Sequence, residues 1–275
     1  MTRHAEAEPP GFDPTTPNPA RIYDYWLGGK DNFAADREAA EKAIAYAPEI
    51  PRLAHEGRRF LHRIVRFLAA AGIRQFIDIG TGLPTQGHVH EVLQAVAPDA
   101  RVAYVDNDPV VLAHARALLE NNDGATVIPG DLLDPDAILG DRRLTEMIDM
   151  TEPVAVLVLA VLHLVTDHAG AHRAVTRLRA AMAPGSYLAI SQAVSGQGGQ
   201  EEAIDKLEEL YQETGPRRDA GGRGVRTVPE VREFFNGLEL VDPGLVKLPA
   251  WRPEHDLRTE DTAGVWVVGG LARKP

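Results

Sequence analysis

The sequence predicts an α/β fold: a doubly wound, mostly parallel sheet of seven strands with helices on both faces and a helical cap at its N-terminal side. Three observations predict it. Between Gln75 and Gln192 five short apolar runs, QFIDIG, RVAYVD, TVIPGD, VAVLVLAVLH and YLAISQ, alternate with helical stretches. That is the pattern of strands buried on both faces and joined by crossover helices. In FIDIGTGLPTQG the first of these strands runs into a glycine turn before a helix begins, the place where such sheets take up ligands. Finally, 275 residues with 44% hydrophobic content suffice to bury a sizeable core, so one large domain or a domain with appendages is expected.

Taken in order, residues 1–19 are rich in Pro, Thr and Glu and are expected to form a poorly ordered tail, since nothing there offsets the entropy of fixing it. Residues 20–72 read as the helical cap. Ile22, Tyr25 and Trp26 share one helix face, and Phe60, Leu61, Ile64, Val65, Phe67 and Leu68 recur at helical spacing, with GGKDN and YAPEIP as punctuation. Residues 73–275 read as the sheet domain. Its helices include the stripe Val89, Val92, Leu93 and Val96, then PVVLAHARALLEN and HRAVTRLRAAMAPG, the last stopped by Pro and Gly. A helical insertion is expected near 200–214, followed by a Gly- and Arg-rich loop. A short helix, VPEVREFFNG, comes next, and LELVDPGLVKLP and GVWVVGGLAR supply the last two strands.

Composition excludes some classes of function. A formal charge of −11 disfavours nucleic-acid partners, because counterion release needs clustered Lys and Arg. With no cysteine there is no disulfide framework, thiolate nucleophile or thiolate zinc site, which fits a cytoplasmic protein. The start carries no apolar signal core, and the longest apolar run, Val154 to Val165, is too short to span a bilayer. His168 and His172 are four apart on a predicted helix but lack a third ligand, so a solvated helix face is expected and no metal.

The glycine turn is then asked what it holds. Read as G-x-G-x-x-G it has Gly80 and Gly82 but Thr85 in third place, a poor match to a pyrophosphate loop. Read as acidic-x-Gly-x-Gly it has Asp78 at the strand end, able to orient the loop or meet an ammonium group through water. Asp106 ends the second strand in AYVDND, where a carboxylate accepts from both hydroxyls of an unphosphorylated ribose. Asp131 follows the third strand in PGDLLD, where it could accept from an adenine amino group while Leu132 packs on the ring. Three acidic strand ends around one crevice suit a nucleoside with a cationic tail, and S-adenosylmethionine is such a ligand.

DIGTG, YVDNDP, GDL, LAVLH and LRAAMAPGSYLAIS, in this order, resemble the successive motifs of class I S-adenosylmethionine-dependent methyltransferases over roughly residues 73–192. PNPARIYDYWLGGKDNFAADREAAEKA followed by FIDIGTGLPTQG resembles a narrower actinobacterial methyltransferase family once catalogued as a domain of unknown function. The resemblance implies a Rossmann-like methyltransferase fold. It implies Gly80 and Gly82, with Thr81 between them, against the methionyl end, Asp106 on the ribose, and Asp131 and Leu132 at the adenine, with Asn107 facing the adenosine.

Further residues have two readings each. Tyr23, Tyr25, Trp26, Lys30 and Asn32 of YDYWLGGKDN could close over the cofactor, Lys30 meeting its carboxylate, or the aromatics could merely anchor a helix. His163, after the fourth strand, could accept a proton from an attacking atom or be structural. Arg217, Arg218, Arg223 and Arg226 could form a lid over an anionic substrate or a solvated loop. The expected activity is methyl transfer to a small-molecule acceptor. Its rivals are a noncatalytic S-adenosylmethionine-binding regulatory module and an NAD-dependent oxidoreductase. Oligomeric state is not legible.

Overall fold

The structure, a computed structural model, describes residues 13–84, 87–119, 122–196, 200–214 and 223–275. Its strands are β1 (Gln75–Ile79), β2 (Arg101–Asp106), β3 (Ala125–Pro129), β4 (Ala155–Leu159), β5 (Tyr187–Ser195), β6 (Arg226–Thr227), β7 (Glu239–Leu240), β8 (Val246–Lys247) and β9 (Val267–Arg273). The helices are α1 (Pro19–Trp26), α2 (Ala34–Tyr46), α3 (Ile50–Ala70), α4 (Val89–Val96), α5 (Pro109–Leu119), α6 (Pro135–Gly140), α7 (Arg142–Met147), α8 (His168–Ala181), α9 (Glu201–Thr214), α10 (Val228–Glu233) and α11 (Thr259–Thr262). Short 3₁₀ turns lie at Leu162–Leu164 and Leu248–Ala250.

The sheet order is β3-β2-β1-β4-β5-β9-β7, with β6 beside β5 and β8 beside β9. Strands β1 to β5 are parallel, and β9 runs antiparallel between β5 and β7. The chain builds outward from β1 to β3, then returns to the other side of β1 to continue with β4. This reversal opens a crevice at the carboxyl ends of β1 and β4. Ile77 at the centre pairs with Ala103 on one side and Val156 on the other.

Alternation along the strands divides the core in two. Ile77, Val105, Val156 and Ile190 join α8 through Val175 and Leu178 on one face. Phe76, Tyr104, Leu157 and Ala189 join α3 and α4 through Phe60, Ile64, Leu68 and Leu93 on the other. A third cluster stands above the crevice: Ile22 and Trp26 of α1, Ala40 and Ala43 of α2, Ile50 and Leu53 of α3, and Ile204 and Leu207 of α9. The N-terminal helices and the insertion thus make one roof. Helix α3 has 21 residues, about 31 Å at 1.5 Å per residue, and it serves both layers. Its first turns are roof and its later ones are sheet core, so no change of packing falls at residue 72.

Several elements depart from the reading of the sequence. Among the described residues the sheet has nine strands where seven are expected: the two-residue strand β6 is added beside β5, and LELVDPGLVKLP is divided by its turn into the two-residue strands β7 and β8, both paired with β9. Helices α6 and α7 lie outside the elements that the sequence predicts. Their signals are N-caps, the side chain of Asp134 accepting from Ala137 N and that of Asp141 from Arg143 N. Val96 is exposed, off the stripe of α4. Of the expected tail, residues 1–12 lie outside the described residues. Within 13–18, Asp13 accepts from Thr15 and Thr16, and Asn18 caps α1 while its own N–H donates to Asp36.

Replacing Ile77, fully buried between β2 and β4, tests the central position of β1. Ile77→Ala is expected to lower the unfolding free energy by about 2–5 kcal/mol, read from the urea midpoint at unchanged slope.

Candidate cofactor and acceptor site

The site starts from the turn after β1. Gly80 has φ 73° and donates its N–H to Val105 O at 2.7 Å. A Cβ there would stand 2.3 Å from Val161 Cγ2, so Gly80 is required both for its conformation and for the close approach of the loop after β4. Gly82 has φ 68°, and its missing Cβ would point into open space. A ligand can therefore come against its backbone. Leu83 is buried with Val110 and Val111, and the buried imidazole of His88 holds its carbonyl at 2.9 Å. Thr85, which occupies the third fingerprint position, lies outside the described residues.

Two carboxylates converge on this turn. Asp78 accepts from Thr81 Oγ1 at 3.2 Å. Asp106 accepts from Gly82 N and from Asp108 N, each at 2.9 Å. Burial pushes the Asp78 carboxyl up to about 6; Arg58 and Thr81 oppose the rise and Asp106 adds to it. Burial likewise pushes Asp106 up to about 6 against the pull of its backbone donors. Asp131 is half-buried and accepts from Leu133 N, Leu132 is buried, and Asn107 is exposed at the rim.

These groups open into one cavity of about 1200 Å³ that continues over the ends of β4 and β5 to His163, under the roof. Asp78, Gly80, Thr81, Gly82, Asp106, Asn107, Asp131, Leu132 and Tyr23 all line it. The Tyr23 hydroxyl donates to Ala54 O at 2.9 Å. Lys30 does not line it. The expected role for Lys30 is corrected by the fold of its loop, which curls back on Asp24 through Asp31 N and Asn32 Nδ2 and leaves Lys30 exposed outside the cavity. Among the described residues the cation at the Asp78 end is Arg58 of α3, its carbon Cζ 5.8 Å from the centre of the Tyr23 ring and its buried Nε without a hydrogen-bond partner there. Nothing in the sequence distinguished Arg58 from other arginines of an amphipathic helix. Arg21, buried between Asp36 and Asp108 at 3.6 and 4.0 Å, ties α1 to the loop after β2, and no sequence signal marks it either.

His163 sits on the 3₁₀ turn after β4. Its Nδ1 is buried without a partner among the described residues, and burial, with Arg226 nearby, pushes its pKa down to about 4. The turn is held from three sides. Ala160, at φ 57°, donates its N–H to Ser191 O and Oγ. Arg226, buried, donates to the carbonyls of Leu162 (2.7 Å), Gly224 (2.9 Å) and Val165 (3.1 Å). Gly224 lies so close that a Cβ would stand 2.0 Å from His163 O.

The arginine loop is accordingly divided. Arg226 is a buried brace, Arg223 pairs with Asp205 and Glu208 of α9, and Arg217 and Arg218 lie outside the described residues. His168 bonds Arg223 O, and His172 stacks on Phe234 and faces Glu233. Among the described residues no helix is long and apolar enough to cross a membrane.

Strand order, glycine turn and acidic strand ends together define the fold of class I S-adenosylmethionine-dependent methyltransferases. The chain belongs to the S-adenosyl methyltransferase family, which it matches over residues 5–275. Two solved structures share both sequence and fold. One, from Thermobifida fusca YX and described as a "putative methyltransferase", is 40% identical over 96% of this chain and 97% of its own, with a TM-score of 0.87. The other, a DUF574 family protein from Streptomyces avermitilis MA-4680, is 38% identical over 94% and 98%, with a TM-score of 0.84. No curated protein matches the chain. The protein is thus an S-adenosylmethionine-dependent methyltransferase, with S-adenosylmethionine as its cofactor.

Asp78 and Asp106 are charged above about pH 6 and neutral below it, and their ionised forms are the ones that favour a cationic ligand. Affinity for S-adenosylmethionine is expected to be greatest above neutrality and to weaken as pH falls through about 6. Calorimetric titration across this range checks it; a pH-independent affinity would contradict the expectation that the ligand meets these carboxylates in their ionised form.

Proposed function

We propose that this methyltransferase acts on a small-molecule acceptor bound at the β4–β5 end of the cavity that holds the cofactor at the β1–β3 end. One observation carries the reading: the cavity, at about 1200 Å³, exceeds the roughly 300–1,000 Å³ of a pocket for one small ligand, and it runs unbroken from the acidic strand ends to His163. The residues present fit the cofactor. Gly82 offers an open cradle, two buried carboxylates have raised pKa values that a cation would relieve, and Arg58 has a buried nitrogen without a partner among the described residues.

In this reading Gly80, Thr81 and Gly82 follow the methionyl end, Asp78 faces its ammonium group and Arg58 its carboxylate, the role first expected of Lys30. Asp106 accepts from the ribose hydroxyls, while Asn107, Asp131 and Leu132 border the adenine. Tyr23 closes the cavity from α1. When bound, the cofactor supplies a methyl group already activated on a sulfonium. The chain's own task is then alignment and exclusion of water, which the roof of α1, α2 and α9 provides. His163, neutral at physiological pH, is placed to take the proton of the attacking atom.

Calorimetry with S-adenosylmethionine, S-adenosylhomocysteine and NAD tests the cofactor end. Asp106→Asn is expected to weaken both adenosyl ligands by about ten- to a hundredfold, the worth of a lost hydrogen bond to a charged group. Arg58→Ala is expected to weaken them by a similar factor. Preferential binding of NAD would refute the arrangement.

A further inference from the structure

At the β4–β5 end the cavity wall changes character. Trp26 of α1, Leu53 of α3, Leu207 and Tyr211 of α9, and Trp266 line it on the roof side. Most polar groups here are already engaged. Ser191 Oγ accepts from Ala160 N at 3.1 Å, and Glu208 accepts from Val225 N at 2.8 Å and from Arg223 at 3.0 Å. The Trp266 indole N–H donates to Glu49 at 3.0 Å.

Two side chains differ. His163 and Tyr211 make no hydrogen bond with any described residue, and since His163 Nδ1 is the sealed ring nitrogen, Nε2 is left to the cavity. Among the described residues the charged group on this wall is Glu208, whose carboxylate is already taken by Val225 N and Arg223; a charged acceptor would therefore meet apolar and aromatic surface with no described counter-ion left for it, which is strongly unfavourable. A protonated amine would also stand beside the sulfonium, like charge against like. A neutral flat ring packs well on tryptophan and tyrosine, and one hydroxyl on it reaches the imidazole.

We infer that the acceptor is a neutral aromatic alcohol, a phenol, methylated on its hydroxyl oxygen with His163 Nε2 as the proton acceptor; this rests on the methyl-transfer reading above. The hydroxyl oxygen gives a lone pair to form the O–CH3 bond as the C–S bond breaks and its electron pair stays on sulfur. The hydroxyl proton passes to Nε2 and then to water. Bond formation makes the oxygen strongly acidic, so a weak base suffices. The positive charge lost from sulfur reappears on the imidazole, and the apolar wall never carries two charges.

The probes are 1-naphthol, naphthalen-1-ylmethylammonium and 1-naphthoate: one ring system as a neutral, a cation and an anion. Each is titrated at neutral pH into the full chain saturated with S-adenosylhomocysteine, followed by calorimetry and by tryptophan fluorescence, since Trp26 and Trp266 line the wall. Naphthol is expected to bind at least about tenfold more tightly than either charged probe, the discrimination due to an unpaired charge on an apolar wall. Leu207→Gln and Leu53→Gln should each weaken naphthol by about five- to tenfold, and His163→Asn should weaken it more than it weakens S-adenosylhomocysteine. Equal or tighter binding of a charged probe, no naphthol binding, or naphthol binding indifferent to all three substitutions would overturn the proposal. If S-adenosylhomocysteine itself fails to bind, the methyl-transfer reading falls first.

Discussion

The turn after β1 is the constraint on which the rest of the site depends. Gly80 must adopt a left-handed conformation while Val161 presses against the place a Cβ would occupy. Only then do the loops after β1 and β4 meet with the Gly82 N–H aimed at Asp106. One backbone reversal thereby links three strands: β1 through Asp78, β2 through Asp106, and β4 through the loop that carries His163. The roof adds a second link, because Arg21 binds α1 to Asp108 and Arg58 reaches down from α3 toward Asp78.

This geometry has a consequence for stability. Asp78 and Asp106, near 4 in an unfolded chain, titrate near 6 when folded. The folded state therefore binds more protons than the unfolded one between these values, and their contribution to the stability of the ligand-free protein is lost as pH rises through that window. At neutral pH the ligand-free site holds two carboxylates in an environment that disfavours their charge. A cationic ligand offsets that penalty, so binding and folding are linked through the same two side chains. The loop after β4 resembles the β1 turn in carrying strain: Ala160 is left-handed without being glycine and is held there by Ser191, as functional loops often are.

Much of the sheet was legible because its signals are local. The apolar runs mark β1 to β5, and the acidic residues at their ends are adjacent in sequence to the strands that position them. The cofactor-end lining follows from that adjacency. Lys30 and Arg58 show the limit: both are basic residues in the N-terminal region, and only the curl of the GGKDN loop onto Asp24 decides which of them faces the cavity. Tyr211, Glu208 and Trp266 reach the cavity from segments remote in sequence, and no spacing announces them. Arg226 looked like part of a solvated loop because its neighbours are glycine and arginine. Its burial comes from β6 pairing with β5, two residues long and invisible to periodicity.

The central claim is that one continuous cavity seats the cofactor on the ends of β1–β3 and leaves the end near His163 for the acceptor. A crystal structure of the complex with S-adenosylhomocysteine tests it most directly. The account predicts the ribose on Asp106, the amino-acid end between Asp78 and Arg58, and the thioether sulfur directed toward the His163 side. An adenosyl ligand seated over β4–β5, or one that leaves Asp78 and Asp106 without contact, would contradict it.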